Sequence, residues 1–221
     1  MIFTSIDFIV FFVFVLAAVA IIKHRKFQHL ILIGGSYYFF YFSSNYLIVL
    51  LIFSTILDFY LAKIIYNTEN VFRKKLLLII SLGGNLGLLG FFKYSDFTIL
   101  QFNLLGNYFD LATAIPYYEL VLPLGISFYT FQTLSYTIDV YRGSLKPSKT
   151  FSEFALFVAF FPQLIAGPIL RAKEFLPQLR EKIQDYESKK NLRQIIFHNS
   201  NVKLGITLMA FGFIKKMFFA D

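Results

Sequence analysis

Four polar residues near the middle of the chain, Gln132, Ser135, Asp139 and Arg142, are spaced by three, four and three positions. At 3.6 residues per turn that spacing sets them on one stripe of a helix, with Tyr136 beside it. Asp139 and Arg142 can pair across one turn. The flanking residues are apolar, so the stripe must face a protein interior or a water-filled cavity rather than lipid. Two readings stand: a structural polar seam, or the wall of a substrate cavity. A second constellation, Gln163, Gly167, Pro168 and Arg171, lies where an apolar run is broken by proline and glycine. Exposed backbone there could offer N–H donors to a carbonyl or phosphate, as oxyanion sites do, or could simply define a turn.

Other chemistries find little support. His24, His29 and His198 lack metal-ligand spacing such as His-Glu-x-x-His and read as solvated surface residues, so no metal is expected. No serine sits in a Gly-x-Ser-x-Gly elbow, and no Gly-rich phosphate loop ends in Lys-Ser/Thr. With no cysteine there is no disulfide, thiolate metal site or cysteine nucleophile in these 221 residues.

The elements that must position these residues are apolar. Hydrophobic residues make up 57% and charged residues 15%, and mean hydropathy is +0.63. A soluble domain carries about 25% charged residues, so the composition predicts an all-α, multi-span membrane protein. The net charge of +8 does not call for nucleic acid. Its Lys and Arg lie between apolar runs, as the positive-inside rule expects.

Helices are predicted at approximately 6–22, 30–42, 46–62, 76–92, 123–141 and 202–220, with a re-entrant element at 151–169. The first run is followed, not preceded, by Lys23-His-Arg-Lys26, the reverse of a secretory signal. It reads as a retained helix with its N-terminus outside. Ser43-Ser-Asn45 is turn chemistry between the second and third helices. Gly83, Gly84, Gly87 and Gly90 predict a helix-packing face, and Asn85 an interhelical hydrogen bond. Residues 98–118 read as an outer loop carrying a surface-lying helix. A fully spanning 151–169 would leave the basic segment Arg171–Asn201 outside, so a chain that enters, breaks near Pro162 and returns is expected. No internal repeat is visible.

Several long motifs, in order, resemble the membrane-bound O-acyltransferase family, and within it the alginate O-acetylation branch. They are Asn85-Leu-Gly-Leu-Leu-Gly-Phe-Phe-Lys-Tyr94, Leu122-Pro-Leu-Gly-Ile-Ser-Phe-Tyr-Thr-Phe-Gln-Thr-Leu-Ser-Tyr-Thr-Ile-Asp-Val-Tyr-Arg142, Phe160-Phe-Pro-Gln-Leu-Ile-Ala-Gly-Pro-Ile169 with Arg171, Phe175-Leu-Pro-Gln-Leu179 and Phe213-Ile-Lys-Lys-Met-Phe-Phe-Ala-Asp221. The opening Ile2-Phe-Thr-Ser5 is similar too. The resemblance implies a ring of helices around a funnel with re-entrant elements at its floor. It implies transfer of an acyl group, as acetyl, from a thioester such as acetyl-CoA to hydroxyls of an extracytoplasmic polysaccharide. A cell-membrane location and partner polysaccharide-acetylation proteins go with it. The family's catalytic histidine lies in a later region, and none of the three histidines here matches it. The chain is therefore expected to be the N-terminal portion of a longer acyltransferase, inactive alone. From the residues themselves, a transporter-like subunit with a polar cavity and a non-catalytic membrane scaffold stand as alternatives.

Single cysteines placed in Arg171–Asn201 of this cysteine-free chain should react with membrane-impermeant reagents only from the cytoplasmic side. Labelling from outside alone would refute that placement.

Overall fold

In the computed structural model, residues 5–22, 24–109, 115–116, 121–164, 170–179 and 199–215 are described. Helix α1, Ile6–Ile21, begins at Ser5, whose Oγ accepts from the Phe8 N–H at 3.2 Å. Helix α2, Arg25–Ser44, folds back beside it. The turn between them is sealed by Gln28, which is fully buried. Its Nε2 donates to the carbonyls of Val19 at 3.0 Å and Ile22 at 2.8 Å. The last carbonyls of a helix lack partners within it, and here a side chain of the next helix supplies them.

A 3-10 turn, Asn45–Leu47, joins α2 to α3, Ile48–Asn67. Asn45 adopts φ +54°, a region that asparagine tolerates better than most residues. The serine-asparagine turn was thus legible. Asn70 caps the next helix, α4, Val71–Tyr108, by accepting from the Arg73 N–H at 3.0 Å.

Helix α4 corrects two expectations. It does not stop near Phe92 but runs on to Tyr108, 38 residues in all, through part of the stretch expected to be an outer loop. Ser95 and Thr98 do not break it because they bond back onto its own carbonyls. Ser95 Oγ donates to Phe91 O, and Thr98 Oγ1 to Tyr94 O. Asn103 pairs with the Ile115 backbone, accepting from its N–H at 2.8 Å and donating to its carbonyl at 2.9 Å. The four glycines do not share a packing face either. A Cβ on Gly84 would lie 2.8 Å from Leu57 Cδ2, whereas Gly83, Gly87 and Gly90 face open space.

Helix α5, Ile126–Tyr141, packs against both α3 and α4. Helix α6, Phe151–Ala159, is capped by Thr150, whose Oγ1 accepts from the Glu153 N–H at 3.3 Å. The chain breaks at Phe160 and resumes as the single turn α7, Phe161–Leu164. A break near Pro162 was expected; the return of a re-entrant chain would fall on residues 165–169, outside the described residues. Helix α8, Ala172–Leu179, buries Ala172, Leu176 and Leu179, so the start of the basic segment Arg171–Asn201 is a packed amphipathic helix. Helix α9, Asn199–Lys215, begins three residues before the expected 202.

Two apolar clusters form the core. One joins α2 to α6 and α8 through Phe40, Phe59, Tyr136, Phe154, Phe157 and Leu176. The other is largely aromatic, with Phe8, Phe11 and Phe39 around Phe161; Phe11 meets Phe161 edge-on at 5.2 Å. Phe175 of α8 packs against both clusters. Two helical stretches, Lys26–Asn67 and Val71–Tyr108, are long and apolar enough to cross a membrane, about 20 residues being needed.

Helix α5 starts at Gly125, which adopts φ +71°, and a Cβ there would lie 2.6 Å from the Leu164 carbonyl oxygen. Gly143 has a similar φ of +74° but open space around it. Alanine in that backbone region costs about 1–2 kcal/mol at either position. Gly125→Ala should therefore lower the thermal midpoint in detergent clearly more than Gly143→Ala. Equal shifts would show that α5 and α7 do not approach so closely.

Candidate functional site

The predicted stripe lies on α5, and its members meet different fates. Gln132 is buried, and its Nε2 donates to the Phe157 carbonyl at 2.7 Å. Ser135 is half-buried and donates to the Gln132 carbonyl at 2.8 Å. Tyr136 is fully buried; its hydroxyl accepts from the Ser148 N–H at 3.0 Å, and its ring centre lies 4.3 Å from that of Phe154. Asp139 is half-buried and accepts from Ser144 Oγ at 3.4 Å. Arg142 is exposed, and among the described residues no ion pair joins it to Asp139. Gln163 is buried on α7, and Arg171 is exposed just before α8. Gln132 and Tyr136 thus meet α6 and the loop before it, Ser135 bonds only within α5, and the two arginines lie at the surface. Gly167, Pro168 and His198 lie outside the described residues.

Gln132 repairs the break in the α6–α7 segment. In an unbroken helix the Phe157 carbonyl would accept from the N–H of Phe161. The extended ψ of 105° at Phe160 removes that bond. Both halves find new partners on other helices. The Phe157 carbonyl takes Gln132, and the Phe161 N–H donates to Ser36 Oγ of α2 at 3.3 Å. Buried backbone groups must be paired somewhere, so α5 and α2 together hold the break open.

A second polar centre was not read from the sequence. Asp58 of α3 is fully buried. Its Oδ1 accepts from Ser81 Oγ at 2.5 Å and Thr137 Oγ1 at 3.3 Å, and its Oδ2 from Asn85 Nδ2 at 2.8 Å. Thr133 Oγ1 in turn lies 3.5 Å from Asn85 Oδ1. One carboxylate therefore ties α3 to α4 and α5. The expected interhelical bond of Asn85 is present. The missed signal was a lone acid in the middle of the apolar run 46–62, which membrane physics marks as a residue needing partners.

A third group lies around the loop before α6. Glu153 is fully buried, and its Oε2 accepts from the Lys149 N–H at 3.0 Å. Thr150-x-x-Glu153 is a capping box in which the glutamate reaches one residue further back than usual. Lys63 Nζ donates to the Lys149 carbonyl at 3.4 Å and sits 4.3 Å above the Phe59 ring. His29 is buried, not solvated as expected, and its Nε2 donates to the Ser152 carbonyl at 3.2 Å. These side chains can hold and orient the α5–α6 loop. Tyr129, also fully buried on α5, has a hydroxyl without a partner among the described residues. No group of three or more His, Asp or Glu is placed to hold a metal among the described residues.

No protein-family model and no solved structure matches the chain. Curated relatives do. The chain is 34% identical over 193 residues to a peptidoglycan O-acetyltransferase of Helicobacter pylori, an alignment that covers 76% of the chain and 34% of the relative. It is 39% identical over 144 residues to the "Probable alginate O-acetylase AlgI" of Pseudomonas putida, covering 65% of the chain and 27% of the relative. The protein of the same name from Pseudomonas aeruginosa is 37% identical over 144 residues, with 65% and 25% covered. The chain thus spans about a third or less of the length of these relatives.

Asp58→Leu should strand the donors of Ser81, Asn85 and Thr137 and cost about 2 kcal/mol, at roughly 0.6 kcal/mol per interhelical bond. Asp58→Asn keeps an acceptor and should cost about half as much. Unfolding in detergent checks the order. Equal stability of Asp58→Leu and the parent chain would show that the carboxylate ties nothing together.

Proposed function

Because the chain is a homologue of bacterial O-acetyltransferases of the membrane-bound O-acyltransferase family, we propose that it forms part of an enzyme that moves an acetyl group onto hydroxyls of an extracytoplasmic polysaccharide. The observation that carries this reading is the activity for which the relatives are named, O-acetylation of alginate or peptidoglycan. The long apolar stretches Lys26–Asn67 and Val71–Tyr108 support a multi-pass setting in the cell membrane, and the basic run Lys23-His-Arg-Lys26 after the first apolar run supports an N-terminus outside.

The donor is a thioester such as acetyl-CoA. The acceptor hydroxyl oxygen attacks the thioester carbonyl carbon, the C–S bond breaks, and the sulfur leaves as thiolate. A general base takes the hydroxyl proton and returns it to the thiolate. The three histidines of this chain are not assigned that role. The base is proposed to come from residues outside these 221, consistent with the share of the relatives that the chain spans. The part proposed for this chain is positional. Gln132, Ser135, Tyr136 and Gln163 shape the wall around the α6–α7 break. Arg142 and Arg171 stand toward its rims, where cationic groups attract an anionic donor, and Asp139, held by Ser144, lies one turn before Arg142. Partners are the bilayer, the glycan and further polysaccharide-acetylation proteins.

Deleting the gene in its host should lower the acetate released from surface polysaccharide by mild base. An unchanged ester content would sink the proposal. The purified 221-residue chain should transfer no acetyl from acetyl-CoA, and measurable transfer by it would overturn the assignment of the base to other residues.

A further inference from the structure

Helices α1 and α2 do not close against each other along their full length. Between them runs a groove of about 590 Å³, lined by Asp7, Val10, Phe14, Gly34, Tyr38 and Phe42 among others. The two helices are antiparallel, and Phe11 stacks on Tyr38 at 5.8 Å. That register sets Asp7 opposite Phe42, at one mouth of the groove. Two adjacent glycines make the slot. Gly35 lets α2 approach α1, since a Cβ there would lie 3.2 Å from Val15 Cγ2, whereas at Gly34 a Cβ would meet nothing within 4 Å. Every lining residue except Asp7 is apolar, aromatic or glycine.

The lining demands an apolar occupant, because an empty or water-filled slot between phenylalanines is unfavourable. The mouth demands a cation, because its acidic group is Asp7 and the basic residues Arg25 and Lys26 of this helical hairpin begin α2 at the opposite end. The position of Asp7 in the first turn of α1 also favours the helix dipole. That accounts for an acid there but not for the open slot beneath it.

We propose that this groove seats one acyl chain of a membrane phospholipid bearing a primary-ammonium head group, with the ammonium paired to Asp7. The proposal rests on the membrane setting given under Proposed function. An anionic head group would meet the carboxylate as a like charge. A quaternary ammonium could not donate a hydrogen bond to it. The lipid would fill the space that Gly34 leaves and cover the exposed Val10 and Phe14 of α1.

The test reconstitutes the full 221-residue chain into bilayers of mixed phosphatidylethanolamine and phosphatidylglycerol. It then extracts the chain with mild detergent and counts retained lipid by native mass spectrometry. One retained phosphatidylethanolamine per chain is expected, with about a fivefold preference over phosphatidylglycerol, the scale of one partly exposed ion pair. Asp7→Asn should abolish the preference. Gly34→Leu should fill the groove and lower retention to the detergent background. Gly83→Leu, on an open face of α4, should leave retention unchanged and so separates this groove from general lipid coating. Equal retention of the two lipids by the parent chain, or equal losses in the two leucine variants, would overturn the groove proposal alone. Failure of the chain to enter bilayers at all would overturn the membrane reading and the groove with it.

Discussion

A carboxylate buried among apolar helices is the constraint around which this chain is organised. An unpartnered charge in such a place is prohibitively costly, and even a neutral polar group must be hydrogen-bonded. Asp58 meets that demand only where Ser81 and Asn85 of α4 and Thr137 of α5 come within reach. Small shifts of register between the three helices would break several bonds at once. Apolar packing alone would tolerate sliding, because one leucine contact resembles the next. The polar centre therefore specifies which turns of α3, α4 and α5 lie level, and with them the height of every residue that α5 presents to α6.

What α5 presents is then decisive. Gln132 stands one turn before Tyr136 on the same helix. The first side chain takes the carbonyl freed by the break at Phe160, and the second receives the loop amide of Ser148. Ser36 of α2 completes the pairing from the other side. A discontinuous helix deep in a protein is stable only if its loose backbone groups are claimed by neighbours. Here the claimants sit on two helices, so the break is a property of the whole bundle rather than of Pro162.

The sequence was informative wherever one residue type carried a local physical demand. The apolar runs marked the helices, Ser43-Ser-Asn45 marked a turn, Pro162 marked a break, and Asn85 announced a partner. The spacing of Gln132, Ser135 and Asp139 gave a common face, but spacing cannot say which helix that face meets. Asp58 was overlooked because the apolar residues around it dominate its run. Helix α4 outruns its apolar run because its polar residues do not interrupt it. Serine and threonine can satisfy themselves on the preceding turn, so they do not end a helix. Gly83, Gly87 and Gly90 of α4 face open space, since glycine permits a close approach without requiring one. His29 was assigned to solvent from its basic neighbours, although its partner, the Ser152 carbonyl, is distant in sequence.

The length of α4 carries a geometric consequence. Its 38 residues amount to a rod of about 57 Å at 1.5 Å per residue, against a hydrocarbon slab of about 30 Å. Spanning helices lean by up to about 40°, which would still leave this rod about 44 Å tall. A spanning α4 therefore overtops the slab by about 14 Å or more. Asp58 pairs with residues 81 and 85, so α3, which begins ten residues before Asp58, ends alongside α4 near Lys93. Past that point α4 loses α3 as a flank, and Lys93 and Asp96 are the first charges it meets there. In a spanning α4 the tail from Lys93 to Tyr108 would stand as a mast rather than a wall, lifting aromatic and amide side chains above the waterline while the polar bolt at Asp58 holds its foot.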